Sequence, residues 1–261
     1  MNNQPTAIIC LSNNTIGGME LDAIKYAKKL SPITNTVLIL KKNSLLSQKA
    51  IRDNSLRTIE ISFWGSISLA LFASIRKIIL KNNIKNIIYF GASELKTLYF
   101  SLKDLEINFI IRHGTRKRPK KKWYHALIYS KVNYHIGISR DLTANILKVI
   151  PHNTSSKIKT IYPSITLNRE PKPRIFDNQI KILNTGRIAP GKGHTDIINA
   201  CGILHDNGIN FIMNIVGTGK SNYVAKIKKY AKKMPYSNKI IFHGYQSNIP
   251  KHLNENDIFL F

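Results

Sequence analysis

Short apolar runs alternate with stretches of helical periodicity along the whole chain, and this alternation restricts it to parallel α/β layers. Thr6–Leu11 reads as a strand. A loop with Gly17-Gly18 follows, then a helix to about Leu30 whose Met19, Ala23, Tyr26 and Leu30 share one face. The theme repeats with strands at Thr36–Leu40, Ile87–Phe90, Phe109–Arg112 and Tyr134–Ile138. A helix is expected over Ile67–Lys81, and another after Ile138 with Ser139 or Asp141 near its cap. Pro163, Pro171 and Pro173, with few apolar residues between them, mark a linker. A second series begins beyond it: strands Lys181–Thr185, Phe211–Val216, Ile240–Phe242 and Ile258–Phe261, with helices from about Thr195, over Tyr223–Met234 and near Ile249–Leu253. The expected domains are therefore residues 1–165 and 179–261, joined by 166–178.

Composition narrows the class of partner. Forty Lys+Arg against fourteen Asp+Glu leave a formal charge of +26 in 261 residues, richest in the N-terminal part. Such a field favours polyanions: nucleic acid, an anionic membrane surface or phosphorylated substrates. Heavy use of lysine would raise the charge equally well without any partner. Cys10 and Cys201 fall in an apolar strand and an amphipathic helix, where buried structural thiols are the default. No basic segment followed by a long apolar run opens the chain, and Ile67–Ile75 is too short to span a membrane, so a cytoplasmic protein is expected.

The stretch IKILNTGRIAPGKG, residues 180–193, carries the most chemistry. A strand runs into a Gly-Arg turn, and Lys192 follows Arg187 within one short loop before a helix starts. Two fixed cations at a strand's carboxyl end, next to a helix N-terminus, suit a diphosphate. Two near-matches to a triphosphate-binding loop fail. Gly193 stands where GRIAPGKG needs a hydroxyl for magnesium, and Asn214 replaces the first glycine before Gly219-Lys220-Ser221. A dinucleotide fingerprint fails at Asn222, and no metal-binding spacing, serine triad or catalytic carboxylate pair is visible.

Three further features sit at expected strand ends. Gly17-Gly18 would let a phosphate approach the backbone at a helix start, or form a plain tight turn. His113 could bond substrate hydroxyls, or serve structure alone. Arg112–Lys122 reads RHGTRKRPKKK, seven cations in eleven residues, with Trp123-Tyr124 adjoining. A solvated loop is the plain reading. Arg116, Lys117, Arg118, Lys120, Lys121, Lys122 and Trp123 could also grip an anionic membrane or glycolipid. A nucleic-acid surface is disfavoured, because no RNA-reading motif accompanies the run.

Taken together, these pieces resemble the retaining, nucleotide-sugar-dependent glycosyltransferases of GT-B fold, the glycosyl transferases group 1 type. The likeness is carried by ILNTGRIAPGKGH, NIVGTGK and IIFHGYQSNIPKHLNENDIFLF, and more weakly by NTIGGMELDAIKYAKKL, His113 and ISRDLTANILK. It implies an α/β chain of two Rossmann-like domains, acceptor side first and donor nucleotide side second. It also implies no cofactor, the nucleotide sugar being substrate, and no metal. Arg187 and Lys192 would clamp the donor diphosphate, and Gly17 and Gly18 would admit its phosphate. His113 would contact the transferred sugar, while Gly217, Gly219, Gly244 and Tyr245 would shape the nucleoside pocket. Relatives continue past the DIF strand with a Pro-Ser turn and a helix bearing two glutamates that bind the donor. The sequence reaches Phe261 before these, so the second domain is expected to be incomplete, with a complementary C-terminal fragment as one conceivable partner. Three functions stay open at this level. The first is transfer of a sugar to a cell-envelope glycan or glycolipid such as lipopolysaccharide, at the inner face of the cytoplasmic membrane. The others are a remnant or subunit that at most binds nucleotide, and a basic nucleic-acid-binding protein.

Overall fold

A computed structural model describes residues 4–12, 16–120, 122–164 and 178–261. The chain divides into two compact units, Met1–Thr166 and Leu167–Phe261. The expected linker lies outside the described residues except for Asn178, as does Lys121 of the basic run.

In the first unit the order is β1 Thr6–Cys10, α1 Gly18–Leu30, β2 Thr36–Lys41, α2 Leu45–Ile51, β3 Thr58–Ile61, α3 Leu69–Lys81 and β4 Asn86–Tyr89. It continues with α4 Leu95–Leu102, β5 Asn108–His113, α5 Trp123–Tyr129, β6 Tyr134–Gly137, α6 Arg140–Val149 and β7 Lys157–Thr160. The strands form one seven-stranded parallel sheet in the order β3-β2-β1-β4-β5-β6-β7. Its central strands are buried on both faces, which is why they read as unbroken apolar runs. Ala7 and Ile9 join α3, α4 and α5 in one core, and Ile8 and Cys10 join α1 and α2 in the other. Burial, then the nearby Glu20 charge, pushes the Cys10 thiol up to about 12, so it stays an inert core group.

The second unit runs β8 Ile180–Thr185, α7 His194–Asp206, β9 Phe211–Val216, α8 Ser221–Lys232, β10 Ile240–Gly244, α9 Ile249–Glu255 and β11 Ile258–Leu260. Its parallel sheet has the order β10-β9-β8-β11. Phe211, Met213 and Ile215 pack under α7 and α8 with Cys201 and Ile227. Ile258 and Phe259 of β11 are exposed.

The boundary differences have local causes. α3 starts at Leu69, not Ile67, because the Ser68 hydroxyl caps it by accepting from the Leu71 amide. Five short elements escape the periodicity: α2, β3, α4, α5 and β7. β3 and β7 are edge strands, half-exposed, and so lack a full apolar run.

A largely buried ion pair ties β5 to α1. Arg112 on β5 is fully buried between the Tyr26 and Phe90 rings, 5.7 and 5.3 Å from their centres, and donates to the Asp22 carboxylate on α1. Arg112 therefore belongs to the interior, not to the exposed basic run that follows it in sequence. Removing one partner strands the other charge in a site of low polarity. Asp22→Ala is expected to destabilise the first unit by about 3 kcal/mol, seen as a lower urea midpoint in denaturation followed by circular dichroism.

Candidate functional site

The loop between β8 and α7 is held by backbone, and its side chains are left free. Gly186 N–H donates to Val216 O and Ile188 N–H to Thr218 O, both at 2.9 Å, and Ile188 pairs with Gly219 as an isolated parallel bridge. Ile188 is buried and pins the loop, while Arg187 beside it and Lys192 beyond the turn point into solvent. Neither cation has an ion-pair partner among the described residues. Lys192 N–H closes the turn onto Ala189 O at 3.2 Å. Gly193 then caps α7 with φ of 67°, a left-handed conformation that explains glycine where a triphosphate-binding loop has Ser or Thr. The first amides of α7 lack intrahelical partners and carry the positive end of the helix dipole.

Gly217 and Gly219 are required by close approach. A Cβ at Gly217 would lie 1.8 Å from Gly186 O, and one at Gly219 would lie 1.9 Å from Ile188 O. Gly217 N–H also donates to Gly244 O at 2.7 Å. The loops after β8, β9 and β10 are thus sewn together at the carboxyl ends of their strands, with Tyr245 exposed at the edge. Arg187, Lys192, Gly217, Gly219, Gly244 and Tyr245 come together in this way. The acidic group before β11 is structural. Asp257 accepts from Lys181 N–H, Asn256 accepts from the Asn214 amide, and Glu255 lies 3.8 Å from Lys251.

Within the first unit, Gly17 and Gly18 open α1 as expected, and no atom stands within 4 Å of a Cβ built at Gly18. Sequence reasoning missed Glu20. Its buried carboxylate accepts from Gly17 N–H at 2.9 Å, so an anion arriving at this helix start meets a carboxylate already in place. The Gly-Gly-x-Glu spacing was the signal available for it.

His113 ends β5, but its ring is only 2 % exposed. It stacks on His135 of β6, with Nε2 and Nδ1 sharing a hydrogen bond at 3.0 Å, and the Tyr129 ring covers His135. Contact with a sugar requires the ring to turn out of this stack. Burial, then the neighbouring imidazole, lowers His113 to about 3, and burial lowers His135 to about 4. Both are neutral at neutral pH.

The basic run follows α6. Arg116 lies 3.5 Å from Asp141 in the helix's first turn, Lys117 N–H donates to Asn145 Oδ1, and Lys120 N–H donates to Val149 O at its last residue. Lys117 is partly buried, and its pKa is lowered by that burial and then by Lys120, whereas Arg118 and Lys122 are exposed. Trp123 begins α5 instead of ending a loop.

Residues 167–261 match the family model described as glycosyl transferases group 1. The match covers the second unit and is a likeness to that family. The whole chain also shares the GT-B architecture of its solved structures. A glycosyltransferase from Rickettsia africae ESF-5 superposes over 99% of this chain and 73% of its own, at TM-score 0.81 and 18% identity. Anabaena Alr3699/HepE, solved with UDP, superposes over 98% and 73% at TM-score 0.78 and 14% identity. The lipopolysaccharide outer core galactosyltransferase WaaB superposes over 97% and 71% at TM-score 0.67 and 16% identity. No curated protein matches the sequence. In this family segment the glycine seam and the exposed cation pair are one device.

Two outcomes follow from this geometry. Gly219→Ala must push the β8 and β9 loops apart, at a cost of roughly 1–3 kcal/mol. Faster hydrogen exchange at the Gly186 and Ile188 amides would report it. For the histidine pair, the unfolded imidazoles bind protons near their ordinary 6.5, while the folded ones resist until about 4 and about 3. The unfolded state therefore holds more protons in that window, so stability is full above pH 6.5 and falls as the pH drops below it. His135→Phe should flatten this dependence in urea midpoints measured across a pH series.

Proposed function

We propose that the chain transfers a sugar from a nucleoside diphosphate sugar to a cell-envelope glycan or glycolipid, with retention and without a metal. The observation that carries this is the exposed couple Arg187 and Lys192, without an ion-pair partner among the described residues, on a loop fixed by backbone beside the start of α7. In glycosyl transfer the bond from the sugar's anomeric carbon to the diphosphate oxygen breaks, and negative charge grows on the departing phosphate. Two cations held on a rigid loop stabilise that charge without reorganising, which lowers the barrier more than it tightens ground-state binding. The unpaired amides of α7 add to the same field. Gly217, Gly219, Gly244 and Tyr245 would line the nucleoside's side of the site, and Gly18 would offer open backbone to the distal phosphate. His113 would reach the sugar after leaving His135.

Two likenesses support the substrate classes. HepE was solved with UDP and also with UDP-glucose, which favours a uridine donor among the nucleotides. WaaB is a lipopolysaccharide galactosyltransferase, which favours an envelope glycolipid as acceptor and work at the inner face of the cytoplasmic membrane. Calorimetry with UDP, GDP and ADP tests the donor site directly. Saturable UDP binding is expected, weakened on the order of a hundredfold in Arg187→Ala/Lys192→Ala, because each charge-assisted contact contributes about 1.5–3 kcal/mol. Equal binding by the variant would overturn the assignment.

A further inference from the structure

The chain has two tryptophans, and both stand in solvent on the same surface of the first unit: Trp64 is 93 % exposed and Trp123 is 79 % exposed. Trp64 lies between β3 and α3, followed by Ile67 and by Leu69 at 86 % exposure. Trp123 is the first residue of α5. Contacts across the start of α4 join the two segments. Thr97 Oγ1 donates to Ser66 O at 2.9 Å on one side. On the other, Lys96 Nζ sits 4.6 Å over the Tyr124 ring, whose edge meets Trp123. α3, α4 and α5 bury their inner sides in one core, so Trp64, Ile67, Leu69 and Trp123 lie at the one end of this helix layer where α3 and α5 begin. Phe100 of α4 and Leu127 of α5 are exposed on that layer as well.

Scattered exposed apolar residues are ordinary, but a contiguous group bordered by cations is not. Arg118 and Lys122 are exposed beside it, and Lys120 lies between them. The acid that precedes α4 and the acid beside Arg116 are engaged. Glu94 accepts from the Tyr89 hydroxyl at 2.8 Å, and Asp141 pairs with Arg116. Aromatic rings with cations would also suit stacked bases. Ile67 and Leu69 decide against that, because they have no ring to stack and gain only from an apolar medium. Tryptophan, aliphatic wedges and neighbouring lysines together match the boundary between lipid headgroups and acyl chains.

We infer that this surface seats on an anionic lipid bilayer. Trp64, Ile67, Leu69 and Trp123 enter the headgroup boundary, and Arg118 and Lys122 face lipid phosphates. The inference extends the glycolipid-acceptor reading above, but its test does not use the reaction, so either can fail alone.

The experiment is vesicle flotation of the full chain with intrinsic tryptophan emission recorded in parallel. The chain should float with vesicles containing phosphatidylglycerol and not with phosphatidylcholine alone. Its emission should shift to the blue, since both reporters leave water together. Trp64→Ser/Leu69→Ser and Arg118→Ser/Lys122→Ser should each weaken vesicle affinity about tenfold or more, with unchanged circular dichroism. Lys226→Ser/Lys229→Ser on α8 removes the same charge elsewhere and should bind as the wild type does. No flotation, flotation without a blue shift, or equal loss in the α8 variant would overturn the inference. So would salt-sensitive RNA capture without vesicle binding. If an apolar variant fails to fold, quenching of wild-type emission by brominated phosphatidylglycerol decides the matter.

Discussion

The second unit depends on a seam between two backbones. Gly217 and Gly219 approach the carbonyls of Gly186 and Ile188 so closely that no side chain fits between them. A loop carrying unpaired cations would ordinarily be mobile, because nothing in its side chains favours one conformation. Here the conformation is set by hydrogen bonds from Gly186 and Ile188 and by the burial of Ile188. Arg187 and Lys192 are thereby held on a fixed loop without an ion-pair partner among the described residues. Preorganised charge of this kind is what an anionic leaving group needs.

The first unit solves a different problem. Its central strands must be covered on both faces, and Arg112 stands in that interior as a charge. Two aromatic rings and Asp22 make its burial tolerable, and they link β5 to α1 across the second core. Alternation along β5 then sends the next residue, His113, to the opposite face, where His135 receives it. One strand end thus places an always-charged group on one side of the sheet and a group kept neutral on the other. The carboxyl end of β5 is accordingly well packed.

Much of this was legible in the residues. Apolar runs located nine of the eleven strands to within two residues, and the Gly-Arg and Gly-Lys spacing located the cation loop. Short elements were not legible, because α2 and α5 span only seven residues each, too few for a period to stand out. Arg112 misled for a physical reason. Charge runs look alike in sequence whether a member faces solvent or a buried carboxylate ninety residues away. The His113–His135 pair was invisible for the same reason, since the register of two parallel strands brings the histidines together. A helix is expected from Ile67, whereas the Ser68 cap starts α3 at Leu69 and leaves Ile67 and Leu69 exposed at its entry.

The excess of cations acquires a division of labour from this arrangement. Few of the lysines and arginines meet an acid in the described residues, and an unpaired surface charge contributes little to stability in either direction. Its effect is on what the protein attracts. On the second unit two exposed cations stand on a loop fixed by its backbone, an arrangement that suits a small, doubly charged ligand. On the first it is spread along α6 and edged with tryptophan and leucine, which suits an extended surface more than a point ligand. The same electrostatic bias therefore serves two ranges: a short one set by the backbone seam, and a long one set by an open helix layer.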